Sequence, residues 1–244
     1  MYQIDFNHPI HIYFVGIGGI SMSGLAEILR EKGFQVSGSD RQASPLTKSL
    51  EEKGITVFYG QRAANITPDI DCAVFTSAIH PDNPEYIAIH QLGIPCLSRA
   101  ELLGQMMKNY ETPIAVSGTH GKTTTTSMIT TALELAGRDP SAVIGGKLPL
   151  IHGYGKAGKG DDIVIEACEF AETFLKLTPY MSVVLNIDND HLDYYGSMGE
   201  LKFAFKRFAL MTQFMIFANA DDKNTMDVMY TLCLLYTSPS PRDA

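Results

Sequence analysis

The sequence predicts two consecutive α/β domains, each built around a mostly parallel sheet. Short apolar runs alternate with helical segments along the chain, which is typical of doubly wound sheets. Two glycine-rich loops, at 16–19 and 118–121, each stand between an apolar run and a helical segment. A polar stretch at 108–112 separates the halves, so we expect one domain over 1–108 and a second over 113–228.

Composition and charge limit the class of protein. The chain has 244 residues, 45% hydrophobic and 19% charged, which suits a globular protein with room for two cores. The net charge of −8 argues against a nucleic-acid partner or an anionic membrane surface. No apolar run reaches about 18 residues and no secretory signal is visible, so we expect a cytoplasmic protein without a membrane partner. Four cysteines lack C-x-x-C spacing, which favours free thiols: Cys72, Cys96, Cys168 and Cys233.

The first half contains five short apolar runs separated by helical patterns. The runs predict strands at 11–17, 34–37, 55–58, 72–76 and 94–97. Helices are expected to end at Gly33, to run from Pro45 to Gly54 and from Pro84 to Leu92, and to begin after the N-cap Ser98.

The first glycine loop, G-I-G-G at 16–19, follows the first strand and departs from the Rossmann dinucleotide fingerprint. The G-x-G-x-x-G pattern requires glycine at position 21, where Ser21 stands. Asp40 follows about 20 residues further on, where an acid that binds ribose is expected. Taken alone, this Rossmann-like loop is compatible with a nicotinamide-dependent oxidoreductase, or with a turn that only packs the chain.

The second glycine loop, G-T-H-G-K-T-T, follows a predicted strand at 114–116 and opens a helix, as a P-loop does. Backbone N–H groups and the positive helix end would face an anion. Lys122 is placed to reach the β- and γ-phosphates of a nucleotide, and the Thr123 hydroxyl to ligate Mg²⁺. The general P-loop pattern has glycine where Val116 stands, and a threonine-rich turn before an ordinary helix is the alternative. The helix is expected to bury Met128, Ile129, Ala132, Leu133 and Ala136 on one face.

Two further strands of the second half end in polar residues. Glu166 lies near the end of the run 162–167, and the run 181–187 leads into Asp188-Asn189-Asp190-His191. Because parallel strands end at the same edge of a sheet, Glu166 and His191 could both reach the second loop. Such oxygen and imidazole ligands suit Mg²⁺ or Mn²⁺, although His is unusual for Mg²⁺ and the residues alone favour a loop role for His191. A helix with Phe203, Phe205, Phe208 and Leu210 in its core face is expected next, followed by a strand at 214–218.

Several motifs in this order resemble the Mur ligase family, the ATP-dependent amide-forming ligases of peptidoglycan precursor synthesis. They are H-I-Y-F-V-G-I-G-G-I-S-M-S-G-L-A, G-T-H-G-K-T-T and N-I-D-N-D-H, and the resemblance covers roughly residues 8–225. It is strongest to the member that adds L-alanine to UDP-N-acetylmuramate. The resemblance implies ATP and Mg²⁺ as cofactors, these two substrates, and an acyl phosphate intermediate.

The resemblance also implies site residues in both domains. In a P-loop ATP-binding domain, ATP would contact Gly118, Thr119, His120, Gly121, Lys122, Thr123 and Thr124. The implied catalytic residues are Lys122, Glu166 and His191, and the implied metal ligands are Thr123, Glu166 and His191. In a Rossmann-like UDP-sugar-binding domain, the implied contacts are Gly16, Gly18, Gly19, Asp40 and Ser77.

The resemblance leaves some positions and alternatives open. The stretch E-A-C-E-F-A-E-T-F is less acidic than in many relatives, so the roles of Cys168, Glu169 and Glu172 are open. Glu169 is expected to lie behind the ligands or at the surface. Residues 229–244 predict a disordered or non-native tail, and the family's C-terminal domain is not recognised, so we expect this chain to be inactive alone. Another ligase of the family, an oxidoreductase and a non-catalytic nucleotide-binding module are the alternatives.

Overall fold

A computed structural model describes residues 3–76, 78–151, 153–190 and 192–232. The first half forms a parallel five-stranded sheet in the order β3-β2-β1-β4-β5. Its strands are β1 (His11–Val15), β2 (Gln35–Asp40), β3 (Thr56–Tyr59), β4 (Cys72–Phe75) and β5 (Cys96–Ser98). Its helices are α1 (Ile20–Glu31), α2 (Pro45–Glu52), α3 (Pro84–Gln91) and α4 (Arg99–Met107), with a 3₁₀ turn at Ala63–Asn65.

The second half forms a six-stranded sheet in the order β11-β10-β6-β9-β7-β8, in which β8 runs antiparallel to β7. Its strands are β6 (Thr112–Ser117), β7 (Ser141–Leu148), β8 (Gly153–Lys156), β9 (Asp162–Glu166), β10 (Met181–Val184) and β11 (Met215–Ala218). Its helices are α5 (Lys122–Leu135), α6 (Leu192–Tyr195), α7 (Met198–Leu210) and α8 (Lys223–Met229), with 3₁₀ turns at Pro149–Ile151 and Phe170–Lys176. The predicted fold class is confirmed, whereas the β7–β8 hairpin and α8 were not predicted.

The order of strands and helices was predictable because buried central strands and helix caps have clear sequence signals. All five residues of β1 are buried, as expected for a parallel strand covered on both faces. Ser98 caps α4 as predicted: its side chain accepts from the Glu101 backbone, and the Glu101 carboxylate accepts from the Ser98 backbone at 2.9 Å.

Helix α5 buries a different face from the predicted one. Met128 is 66% exposed and Ala132 and Ala136 are also exposed, whereas Thr126 and Thr130 are fully buried. Only Ile129 and Leu133 of the predicted face pack on the sheet, where they are partly buried. The reason lies at the start of the helix, because its first turn has to present Lys122 and Thr123 to the glycine loop. That requirement fixes the rotation of the helix about its axis.

Helix α7 buries only half of its predicted apolar face. Phe205 and Phe208 are fully buried and contact Phe174, at ring-centroid distances of 5.2 and 4.9 Å. Phe203 and Leu210 are exposed. The 3.6-residue period of a helix places these two on the opposite side from Phe205 and Phe208, so the prediction for them was wrong.

The two halves pack directly on each other. Helix α1 crosses β7 and β8, where a Cβ atom built on Gly155 would lie only 2.7 Å from the Gly24 Cα. Helix α4 approaches the second half equally closely, because a Cβ on Gly104 would lie 2.0 Å from the Lys176 carbonyl oxygen. The two halves therefore touch through backbone atoms at two glycines, one between α1 and β8 and one between α4 and the end of the segment 170–176.

Candidate nucleotide-binding site

The second glycine loop joins the end of β6 to the start of α5. Gly118 and Gly121 have φ values of 136° and 85°, a region that side chains other than glycine rarely adopt. A Cβ at Gly118 would also lie 3.0 Å from the Leu185 Cβ. Because α5 begins directly after Gly121, the free N–H groups of its first turn face the loop, which favours an anion there.

Asn186, at the end of β10, holds the loop in shape. Its side-chain oxygen accepts from the His120 N–H at 2.8 Å, and its amide nitrogen donates to the His120 carbonyl at 3.0 Å. Its backbone carbonyl accepts from the Thr119 N–H at 3.1 Å. Asn186 was not among the predicted site residues, although it stands first in the motif N-I-D-N-D-H. An amide directly after a strand beside a glycine loop is the signal that could have identified it.

Lys122 folds back across the loop. Its Nζ donates to the Gly118 carbonyl at 2.5 Å and lies 3.3 Å from the Thr119 carbonyl. The Glu169 carboxylate accepts from the same Nζ at 2.9 and 3.2 Å. Since the Glu169 side chain is only 1% exposed, the surface position that the sequence allowed for it is wrong.

Thr123 and Glu166 lie together at the same edge, as the convergence of strand ends predicts. The Thr123 hydroxyl donates to the Glu166 carboxylate at 3.1 Å. The other carboxylate oxygen accepts from the Gly145 N–H at 2.6 Å. A Cβ on Gly145 would lie 2.8 Å from the Glu166 carboxylate, so a larger residue here would displace that carboxylate. Gly145 was not predicted, although the V-I-G-G sequence at the end of an apolar run offered a signal.

This hydroxyl and carboxylate fit a magnesium ion. Mg²⁺ usually binds proteins through one or two carboxylates and completes its shell with water and substrate phosphates. Within the described ranges, no three His, Cys, Asp or Glu side chains converge as a complete metal site. Thr123 and Glu166 could therefore supply protein oxygens to a magnesium ion whose shell phosphates would complete, and their role as ligands stays a prediction. His191, the third predicted ligand, lies outside the described residues.

Two other predicted loop residues face solvent. The His120 side chain is 70% exposed, with Nε2 3.7 Å from the Asp188 carboxylate. Thr124 is exposed on the first turn of α5. Their assignment to ATP contacts stays a prediction.

The first glycine loop, after β1, has its N–H groups engaged within the protein. Gly16 donates to the Ser39 carbonyl at 2.8 Å, and Gly19 lies 3.3 Å from the Gly16 carbonyl. Gly18 donates to the Asp40 carboxylate at 2.8 Å. The Asp40 carboxylate therefore already accepts from the Gly18 N–H. A diphosphate that bound to this N–H would have to displace the carboxylate. The predicted UDP-sugar contacts stay predictions, and Ser77 lies outside the described residues.

Both halves of the chain match known protein-family models. Residues 11–111 match the model described as "Mur ligase family, catalytic domain", and residues 116–233 match the "Mur ligase middle domain". The chain belongs to the Mur ligase family. Helices that are long and apolar enough to cross a membrane are absent from the described part of this Mur ligase chain.

Individual relatives agree with this assignment. The UDP-N-acetylmuramate–L-alanine ligase of Agathobacter rectalis is 54% identical over 212 residues, which cover 87% of this chain and 46% of the relative. The crystal structure of UDP-N-acetylmuramate-alanine ligase from Thermotoga maritima matches with a TM-score of 0.82 and 32% identity, over 90% of this chain and 51% of that one. The UDP-N-acetylmuramate:L-alanyl-gamma-D-glutamyl-meso-diaminopimelate ligase of Neisseria meningitides matches with a TM-score of 0.84 and 30% identity, over 93% and 76%. The chain spans about half the length of the curated relatives that it matches.

Proposed function

We propose that this chain is the part of an ATP-dependent ligase that binds ATP and UDP-N-acetylmuramate, in an enzyme that joins the latter to L-alanine. The observation that carries the proposal is the second glycine loop, where the Lys122 ammonium contacts the loop carbonyls and the Thr123 hydroxyl donates to the Glu166 carboxylate. The identity to L-alanine ligases, 54% over 212 residues, supports the choice of amino acid.

In the proposed reaction, the muramoyl carboxylate attacks the γ-phosphate of ATP, which gives an acyl phosphate and releases ADP. The amine of L-alanine then attacks the acyl carbon, the amide bond forms and phosphate leaves. Phosphoryl transfer depends mainly on positioning and on neutralising charge. The loop N–H groups and Lys122 would bind the phosphates, and Asn186 would keep the loop in shape. Bound Mg²⁺, held by Thr123 and Glu166, would neutralise charge on the β- and γ-phosphates.

The first half would bind the acceptor. Its glycine loop and Asp40 lie at the start of α1, the helix that packs on the β7–β8 hairpin beside Glu166. In this arrangement, a UDP group at the first loop would be anchored to the same rigid unit as the ATP site. Anchoring one end of a substrate in this way makes the reaction of its other end effectively intramolecular.

A peptide-adding ligase is the second candidate. The solved ligase from Neisseria meningitides gives the higher of the two TM-scores, 0.84 against 0.82. Phosphate release would separate the two candidates when ATP and UDP-N-acetylmuramate are supplied with either L-alanine or the tripeptide L-alanyl-gamma-D-glutamyl-meso-diaminopimelate. The assay would be run on this chain and on a longer chain of the same length as the relatives. Phosphate release with the tripeptide alone would replace the L-alanine proposal.

Calorimetric titration of this chain tests the nucleotide part. We expect saturable binding of Mg-ATP and of UDP-N-acetylmuramate, and none of NAD. Lys122→Ala should weaken ATP binding about 10- to 100-fold, because hydrogen bonds from a charged donor are lost. Lys48→Ala, which removes an exposed lysine of α2, is the matched control and should leave ATP affinity unchanged.

Two outcomes would contradict the proposal. Equal ATP affinity in wild type and Lys122→Ala would remove the second loop as the phosphate site. NAD binding without UDP-N-acetylmuramate binding would favour an oxidoreductase built on the first loop.

A further inference from the structure

We propose that Glu169 is a positioning residue that holds the Lys122 ammonium over the phosphate loop before nucleotide arrives. This inference rests on the proposed ATP site and adds a residue to it. The role of Glu169 was left open at the level of the sequence, and in the structure its buried carboxylate pairs with Lys122 of the second glycine loop.

The Lys122 ammonium is held in place by several hydrogen bonds. Three acceptors surround Nζ: the Gly118 carbonyl, the Thr119 carbonyl and the Glu169 carboxylate. The first two belong to the loop, and only Glu169 carries a charge. The Lys122 side chain is 17% exposed and that of Glu169 is 1% exposed, so water screens the pair little. A long lysine side chain loses rotamer freedom when it is ordered, and this contact orders it in advance.

The backbone around Glu169 is built to keep the carboxylate at this place. The following segment, residues 170–176, begins with two non-glycine residues in the left-handed region, Ala171 at φ 51° and Glu172 at φ 54°. Such conformations persist only where the surroundings enforce them, and they concentrate at functional sites.

Hydrogen bonds within the segment close this turn. The Glu172 N–H donates to the Glu169 carbonyl at 3.0 Å, and the Phe174 N–H donates to the Cys168 carbonyl at 2.9 Å. The Tyr195 hydroxyl also donates to the Glu169 carbonyl.

The two acids of this strand end have separate partners. Glu166 faces Thr123 and the Gly145 N–H, on the side proposed for the metal. Glu169 reaches Lys122 from the other side of the loop. Loss of Glu169 should therefore affect the phosphates that Lys122 reaches and leave the rest of the nucleotide unaffected.

The test compares affinities for Mg-ATP and AMP by calorimetry, because AMP lacks the phosphates that Lys122 would contact. Glu169→Gln keeps the shape of the side chain and removes its charge. We expect ATP affinity to fall about 3- to 10-fold, the range for losing the pre-ordering of one long side chain, and AMP affinity to stay within about 2-fold. Glu172→Gln is the matched control on the same segment; this acid pairs with Arg207 at 3.0 Å and should leave both affinities unchanged.

A double-mutant cycle separates positioning from folding. In a Lys122→Ala background, Glu169→Gln should cause no further fall in the ratio of ATP to AMP affinity. If Glu169→Gln does not fold, as judged by circular dichroism, Glu169→Asp provides the same comparison with the carboxylate drawn back by one methylene group.

Four results would overturn the proposal. They are unchanged or tighter ATP binding in the Glu169 variant, an equal fall for AMP, an equal fall in the Lys122→Ala background, and a similar fall in Glu172→Gln. If the wild-type chain did not bind ATP at all, the proposed function itself would fail, and the Glu169 proposal would fail with it. ATP binding by the wild type without coupling in the cycle removes only the role of Glu169.

Discussion

The contact between Gly24 and Gly155 allows a sharp test of how the two halves are held together. Replacing Gly155 by alanine would place a Cβ atom 2.7 Å from the Cα and 2.8 Å from the carbonyl oxygen of Gly24. Both are backbone atoms within helix α1, so they cannot rotate away as a side chain would. The helix and the β7–β8 hairpin would have to separate by several tenths of an ångström.

The expected cost follows from this overlap. Forcing one extra methyl group into a packed contact typically costs about 1–3 kcal/mol. For a chain of this size, each kcal/mol lowers the melting temperature by roughly 2–4 °C. We therefore expect Gly155→Ala to melt several degrees below the wild type, measured by differential scanning calorimetry and by urea unfolding.

Gly24→Ala is the matched control on the other side of the same contact. Its Cβ would lie 3.4 Å from the nearest Gly155 and Tyr154 atoms, at the edge of ordinary van der Waals distance. Alanine in a helix interior is favoured over glycine by about 1 kcal/mol. We expect this variant to be as stable as the wild type or slightly more stable. If Gly155→Ala is as stable as the wild type, or if both variants lose equal stability, the description of this contact is refuted.

Two further predictions concern the helices. Hydrogen bonding to the Ser98 N–H lowers the pKa of Glu101 below its ordinary 4.5, so its stabilisation is present above that pH and is lost as the pH falls through the folded-state pKa. Urea unfolding at several pH values should show Glu101→Gln about 0.5 kcal/mol less stable at pH 7 and equal to wild type in acid, because the glutamine amide still accepts from the Ser98 N–H but carries no charge. A pH-independent difference would contradict this. Thr126→Val should stabilise the chain by about 1 kcal/mol, because its buried hydroxyl has no hydrogen-bond partner in the described structure. Thr130→Val should instead lose stability, since that hydroxyl donates to the Thr126 carbonyl at 2.8 Å, and equal effects of the two would contradict the prediction.

The parts of the fold that depend on local signals were predictable from the sequence. Apolar runs, helix caps and glycines predicted most strands and helices to within a few residues. Ser98 illustrates the reason, because its capping box involves only residues within one helical turn. The second glycine loop was equally readable, because the strand, loop and helix that form it are contiguous. The proximity of Thr123 and Glu166 followed from a general rule about parallel strand ends.

Features decided by tertiary packing were not predictable in this way. The rotation of α5 depends on how its first turn meets the loop, so Thr126 and Thr130 face the sheet in place of Met128 and Ala132. The partner of Lys122 could not be chosen either. Glu169 stands 47 residues from the lysine in the chain, so their pairing depends on the tertiary fold. The left-handed turn that follows Glu169 was not predictable either, because nothing in the local sequence marks non-glycine residues for that conformation.

The β7–β8 hairpin connects the two glycine loops through backbone contacts. At one end, the Gly145 N–H holds the Glu166 carboxylate, and a Cβ on the neighbouring Gly146 would lie 2.8 Å from the Thr123 methyl group. At the other end, Gly155 touches α1, the helix that begins at the first glycine loop. The Gly155 contact joins backbone atoms, which cannot adjust by changing rotamer, whereas the partners at the other end, Glu166 and Thr123, make their contacts through side chains. A shift of α1 relative to β8 would therefore move the strand that fixes Glu166, so the geometry of the proposed metal site depends on how the acceptor-binding half is seated.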